Sequence, residues 1–248
     1  MGRIAAYLGP RVKIASVVEG GSYALLRQTG DLPDGFGIGW YPGDGEPEPV
    51  RLLSSRAVVG DDPFLSIPRR YSAECVLAIQ EAHNGPRRGG LQPLQSGPFL
   101  FLHDGQLDRY SEVYQRPLRE RLSPARYAAV TSNDPSELLF QTFLDALGEQ
   151  QSPEAIANAL ESMVATVQSI GAAANAGASF AVVVSNGQCL VTLRTATFGP
   201  PPALYTIVAG DEAPLPATGR VVATEPLFPG QWSSLDPHSL VIFTVEPS

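Results

Sequence analysis

Apolar and polar positions along the chain fall into two kinds of pattern. Gly35-Phe36-Gly37-Ile38-Gly39-Trp40-Tyr41 alternates glycine with large apolar residues at the strand period, so it predicts a strand with one bare face. A bare face admits close approach of a backbone or a ligand, and close sheet packing explains it as well. The spacing is not a dinucleotide fingerprint, because no helical pattern follows. Cys75-Val76-Leu77-Ala78-Ile79 and Pro98-Phe99-Leu100-Phe101-Leu102 are short apolar runs, and their flanking Gly and Pro favour strands. The first leads into Gln80-Glu81-Ala82-His83 and the second into His103-Asp104-Gly105.

The helical period enters in the middle of the chain. Leu138, Leu139, Phe143, Leu144 and Leu147 fall on one face of a helix predicted over 136–147. A second helix is announced by Ser152 as N-cap, Pro153 at its first position and Glu154 in its first turn, and runs through Ile156, Leu160, Met163 and Val167. The two should pack as a pair. After a small-residue stretch from Gly171 to Gly177, two apolar runs flank Asn186-Gly187, a strong hairpin signal, and Leu240 to Val245 reads as a last strand. The first two-thirds otherwise reads as strands, turns and irregular linkers, with 43–49 a surface loop. Strands, a helix pair, then strands describe an α+β protein with separate helix and sheet layers. No repeat and no convincing linker appears, so one domain over 1–248 is expected.

Composition narrows the function classes. At 248 residues with 44% hydrophobic and 17% charged content, the chain is that of an ordinary folded protein with a full core. The net charge of -8, with Lys13 the single lysine, argues against a phosphate-tracking nucleic-acid binder. Cys75 and Cys189 each lie in apolar stretches and read as buried reduced thiols, which fits a cytoplasmic location. Two Cys and the scattered His83, His103 and His238 give no zinc pattern, so neither a metal nor another cofactor is expected. There is no apolar run of signal-peptide or membrane-span length. Gly2 invites an N-myristoylation reading, but Ala6 stands where that motif wants Ser or Thr.

The opening Met1-Gly2-Arg3-Ile4-Ala5-Ala6-Tyr7-Leu8-Gly9-Pro10, followed by Asp34-Gly35-Phe36-Gly37-Ile38-Gly39-Trp40-Tyr41-Pro42, resembles the class II glutamine amidotransferases. It is most similar to the branch holding the γ-glutamyl amide hydrolase of ergothioneine biosynthesis, which opens Met-Cys-Arg. The resemblance continues through the strand ending at Gln80, the His103-Asp104-Gly105 turn, the helix pair, the hairpin, and Ala223-Thr224-Glu225-Pro226-Leu227 with Trp232. It implies a four-layer αββα sandwich of the N-terminal-nucleophile hydrolase type.

The same resemblance implies a chemistry whose residues are missing. In the family the residue after Met1 supplies a nucleophilic thiol with its own α-amine as base; here it is Gly2, with no side chain and no covalent route. An Arg that pairs with the substrate α-carboxylate aligns with Gln80, whose neutral amide offers weaker bonds and no charge compensation. The oxyanion hole of a His-Asn-Gly turn becomes His103-Asp104-Gly105, in which an ionised Asp104 is acceptor-only and Gly105 alone matches. His83-Asn84-Gly85 imitates the motif but falls where the family has a Thr-x-Gly turn, leaving His83 either a turn or a pocket residue. Asp134 is the nearest match to the family Asp that binds the substrate α-amine, with a helix N-cap as its structural alternative.

Three functional readings follow. The first is a non-catalytic member of the fold, a pseudoenzyme acting as a binding or partner-stabilising subunit. The second is a glutamine amidotransferase or γ-glutamyl amide hydrolase whose nucleophile has been replaced by Gly2, or an amidohydrolase with an altered amide substrate. The third is an unrelated activity built on Asp104, His83 and His103. The expected partner is a protein or a small amide-like ligand, with homo- and hetero-oligomers both open.

Overall fold

The computed structural model describes residues 2–26, 35–43, 46–58, 62–81, 90–210 and 214–244. In chain order these form β1 (Arg3–Lys13), α1 (Ile14–Glu19), β2 (Gly35–Trp40), β3 (Val50–Ser54), α2 (Ser66–Arg70), β4 (Ser72–Glu81), β5 (Leu94–Ser96), β6 (Phe99–Leu107), α3 (Tyr110–Val113), α4 (Gln115–Arg121), α5 (Pro124–Ala129), α6 (Pro135–Leu147) and α7 (Pro153–Ala174). Then follow β7 (Ala178–Ser185), β8 (Cys189–Ala196), β9 (Tyr205–Val208), β10 (Arg220–Ala223), β11 (Ser233–Ser234) and β12 (Ser239–Thr244).

The strands make two sheets, ordered β11-β9-β10-β1-β4-β2-β3 and β12-β8-β7-β6-β5, with antiparallel pairing throughout. Strand alternation sorts their apolar side chains into three clusters. Ile4, Ala6 and Leu8 of β1, Cys75, Leu77 and Ile79 of β4, Leu100 and Leu102 of β6, and Ala181 and Val183 of β7 fill the space between the sheets. Ala5 and Tyr7 of β1, with Val76 and Ala78 of β4, turn the other way and pack against Ile14, Val17 and Val18 of α1. Phe101 of β6 and Phe180, Val182 and Val184 of β7 pack against α6 and α7. Three apolar interfaces define four layers, helix on sheet on sheet on helix, as the resemblance implies.

The helix pair forms as its pattern requires. Ser152 Oγ accepts from Ala155 N at 3.2 Å and Pro153 opens α7. α7 nevertheless runs beyond the apolar period, through Gly171 to Ala174, before Asn175 ends it in the left-handed conformation. Alanine-rich sequence sustains the helix there, and Gly171 is needed because a Cβ would collide with the Tyr114 hydroxyl and the Ala176 carbonyl. Helices α1 to α5, four to seven residues each, occupy stretches that read as linkers; none is long enough to display two turns of apolar period.

The bare face of β2 belongs to packing. A Cβ on Gly37 would strike the Gln92 carbonyl, and one on Gly39 would lie 2.8 Å from Leu100 Cδ1. Cys75 and Cys189 are buried free thiols, and burial raises them to about 12 and about 11, so both stay protonated at neutral pH. Among the described residues no helix is long and apolar enough to cross a membrane.

Candidate functional site

The site is built where the start of β1 crosses the end of β4 and meets β6 of the facing sheet. Antiparallel pairing sets Arg3 opposite Gln80 and Ile4 opposite Ile79. Gly2 lies on the inter-sheet side, because Ile4 and Ala6 do. From β6, Leu102 faces the same space, and two residues on so does Asp104. Gly2 N donates to Asp104 Oδ1 at 2.6 Å across 102 residues of sequence.

Asp104 is only 8% exposed. Burial pushes its carboxyl above the ordinary value, while the bond from Gly2 N and the positive charge of the amino terminus act in the opposite direction. A Cβ added to Gly2 would meet Ile79 Cδ1 at 3.2 Å, Gln80 O at 3.3 Å and Asp104 Oδ1 at 3.4 Å, so a small side chain fits if its neighbours yield slightly. Gly105 follows at an exposed position with φ 154°. Glycine is required there, since a Cβ would collide with the backbone of Ser179 and Phe180.

Gln80 reaches the same end of the sheet with its side chain on the opposite face from Ile79. It is 7% exposed, and its Oε1 accepts from Arg3 Nη1 at 3.0 Å. Arg3 also forms an ion pair with Glu225 and donates to Leu25 O at 2.9 Å and Tyr23 O at 3.4 Å. Burial lowers its guanidinium to about 10, which leaves it charged at neutral pH. Thr224 Oγ1 accepts from Ile4 N at 3.1 Å, and Thr224 N donates to Ile4 O at 3.1 Å. The Ala223-Thr224-Glu225 segment therefore straps the start of β1 from one side while Asp104 holds it from the other. Gln80 is a partner of Arg3 in this arrangement, with its amide oxygen already engaged.

His103, one residue before Asp104, belongs to another environment. Its ring lies among the helices, 6.0 Å from the Phe180 ring, with Nδ1 2.9 Å from Ser136 Oγ of α6. Gln92 clamps its backbone twice: His103 N donates to Gln92 Oε1 at 2.6 Å, and Gln92 Nε2 donates to His103 O at 2.9 Å. Complete burial lowers the imidazole to about 4, so it is neutral at pH 7. Asp134 is the N-cap of α6 and accepts from Ser136 N at 2.8 Å, the structural role weighed for it. His83 lies outside the described residues. Sequence reasoning gave no site role to Arg3, Glu225 or Gln92, and Ser136 was legible only as a residue of the helix entry. The first two sit in segments whose likeness to the family was visible, whereas nothing local marks Gln92.

The site offers a backbone nitrogen and a carboxylate where a covalent acyl transfer needs a nucleophile and a donor to the developing oxyanion. Its fold is nonetheless of one class: the four layers are those of N-terminal-nucleophile-hydrolase-type glutamine amidotransferases. The family model of glutamine amidotransferases class-II matches residues 14–209, and the chain belongs to that family. Among solved structures, it is similar to a glutamine aminotransferase class-II domain protein from Silicibacter pomeroyi at 21% identity and a TM-score of 0.67, covering 99% of this chain and 100% of that one. The glutamine phosphoribosylpyrophosphate amidotransferase of B. subtilis aligns at 14% identity and a TM-score of 0.65, covering 98% of this chain and 47% of that one. A predicted glutamine amidotransferase from Pseudomonas aeruginosa aligns at 18% identity and a TM-score of 0.53, covering 98% and 92%. No curated protein sequence matches the chain. At these identities the structural likeness establishes the fold.

Proposed function

We propose that this chain is a non-catalytic class II glutamine amidotransferase-like protein, a single domain over residues 1–248 acting in the cytoplasm as a binding or partner-stabilising subunit. One observation carries the reading: Gly2, at the nucleophile position, has no side chain, and its nitrogen is bonded at 2.6 Å to Asp104, which stands at the oxyanion position. A carboxylate there repels a developing oxyanion, and removing one donor from such a hole typically costs about 10²- to 10³-fold in rate. Gln80, at the position of the carboxylate-binding Arg, is occupied by Arg3. The partner is a protein or a small amide-like ligand. On Met1 to Arg3 and the 34–42 segment, the branch is that of the γ-glutamyl amide hydrolases.

The purified full chain is expected to release no glutamate from glutamine or γ-glutamyl amides above background, and release that depends on the chain overturns the reading. A second reading, an enzyme whose nucleophile has been replaced, draws support from Gly2, where a Cβ would lie 3.2 Å from Ile79 Cδ1 and is accommodated by a shift of a few tenths of an ångström in its neighbours. Gly2→Cys combined with Asp104→Asn separates the two. Turnover by this double variant favours the replaced nucleophile, and a folded, inert protein favours a cleft committed to binding.

A further inference from the structure

The seven-stranded sheet ends in a notch. Its outermost strand, β11, pairs with Tyr205 and Thr206 of β9 alone, so the second half of β9 carries no further strand. Ala209 N donates to Gly219 O, which turns the polar groups of Ala209 towards β10. Successive residues of an antiparallel strand address opposite neighbours, so the N–H and C=O of Val208 point outward. Among the described residues neither has a backbone partner on that side, and Val208 is 47% exposed. Beside it opens a cavity of about 620 Å³ lined in part by Thr206, Val208, Arg220, Phe228 and Gly230.

Arg220 gives the notch its charge. It stands opposite Val208 in the register of β9 and β10, so the two side chains share a face of the sheet. Its guanidinium carbon lies 5.2 Å from the centroid of the Phe243 ring of β12, a cation–π contact that holds it beside the cavity. Among the described residues it forms no ion pair. In a chain of net charge -8 such a guanidinium is a local positive spot, and it selects for an anion.

We propose that the notch binds an extended peptide segment of a protein partner as one more strand on β9, with a carboxylate side chain of that segment on Arg220. An extended backbone supplies both a donor and an acceptor to Val208, whereas a small anion leaves at least one of them unmet. A residue placed opposite Val208 points its side chain to the face that Val208 and Arg220 share. It lies two strand spacings from Arg220, about 10 Å, and a Glu and an Arg together span that gap over the Val208 side chain. The next residue of the segment turns to the opposite face, where Ile207 and Phe228 pack. The chemistry recognised is therefore an extended segment that alternates Glu with an apolar residue. Binding here makes no use of Gly2, Asp104 or Gln80, and it holds whether or not that site turns over an amide.

The test is titration of the isotope-labelled full chain with the blocked peptide acetyl-Val-Glu-Val-Thr-amide, and with its Gln counterpart, followed by amide NMR. Saturable shifts centred on Val208 and Gly230 are expected. Affinity should fall at least about tenfold for the Gln peptide and for Arg220→Gln, and be partly kept by Arg220→Lys. Val208→Pro removes the outward N–H while leaving the bonds to β10 in place, and should abolish binding in a protein that still folds. Absence of saturable shifts, shifts centred elsewhere, or equal affinity for the Glu and Gln peptides overturns the proposal. So does free acetate binding as tightly as the peptide, which makes the notch a simple anion site. A dimer that Val208→Pro dissolves also overturns it, by giving the edge to a second copy. If Arg220→Gln fails to fold, the two peptides against the unaltered chain decide alone.

Discussion

His103 and Asp104 are neighbours on β6, yet their side chains serve different halves of the molecule. His103 turns into the helix layer, fully buried, with Ser136 and Phe180 beside its ring and Gln92 clamped to its backbone. Asp104 turns into the inter-sheet space and meets Gly2 N from the other sheet. On the histidine side most polar contacts are closed within the fold and tightly packed. On the aspartate side the contacts join two sheets at the chain's start, where a small side chain could still be fitted. The same tripeptide thus contributes a structural anchor and a candidate site, divided by the pleat of one strand.

The largest effect that would sharpen this contrast is expected from Gln92→Ala. Both backbone groups of His103 would lose their partner in the interior, at about 1–3 kcal/mol for each, so a total of roughly 2–6 kcal/mol should appear in denaturant unfolding. A loss under about 1 kcal/mol would break the distinction between the two faces.

Acidification comes next. The His103 pKa is depressed to about 4 in the folded chain against about 6.5 unfolded. Its contribution is therefore fully present above pH 6.5 and is lost as pH falls through 6.5 towards 4, because the unfolded chain binds the proton first. The loss is on the order of 3 kcal/mol. It should be missing from the pH profile of His103→Leu, even though that variant starts from lower stability at pH 7.

The smallest effect is expected at Gln80→Arg, the change that restores the family residue on paper. Its guanidinium would enter against Arg3, now 3.0 Å from the Gln80 amide oxygen, whose ion-pair partner among the described residues is Glu225. A destabilisation of about 1–2 kcal/mol is expected from bringing a like charge beside the partly exposed Arg3 side chain, and Gln80→Glu should be tolerated better. If Gln80→Arg stabilises the protein instead, Arg3 has yielded its place and the position can hold a guanidinium after all.

The sequence by itself determined the order of elements wherever a local signal is strong. Ser152-Pro153-Glu154 caps α7, Asn186-Gly187 turns β7 into β8, and the alternation of 35–41 makes β2. These depend on contacts within a few residues, which is where propensity, capping and periodicity act. The resemblance carried the four layers, and with them the meeting of Gly2 and Asp104, 102 residues apart. Only the tertiary structure decided which way each polar side chain points and what it meets. Gln80 faces Arg3, His103 faces Ser136, and Gln92 reaches back to His103, because each pairing is set by sheet register and layer packing, and those depend on the sum of many distant contacts and on no single local one.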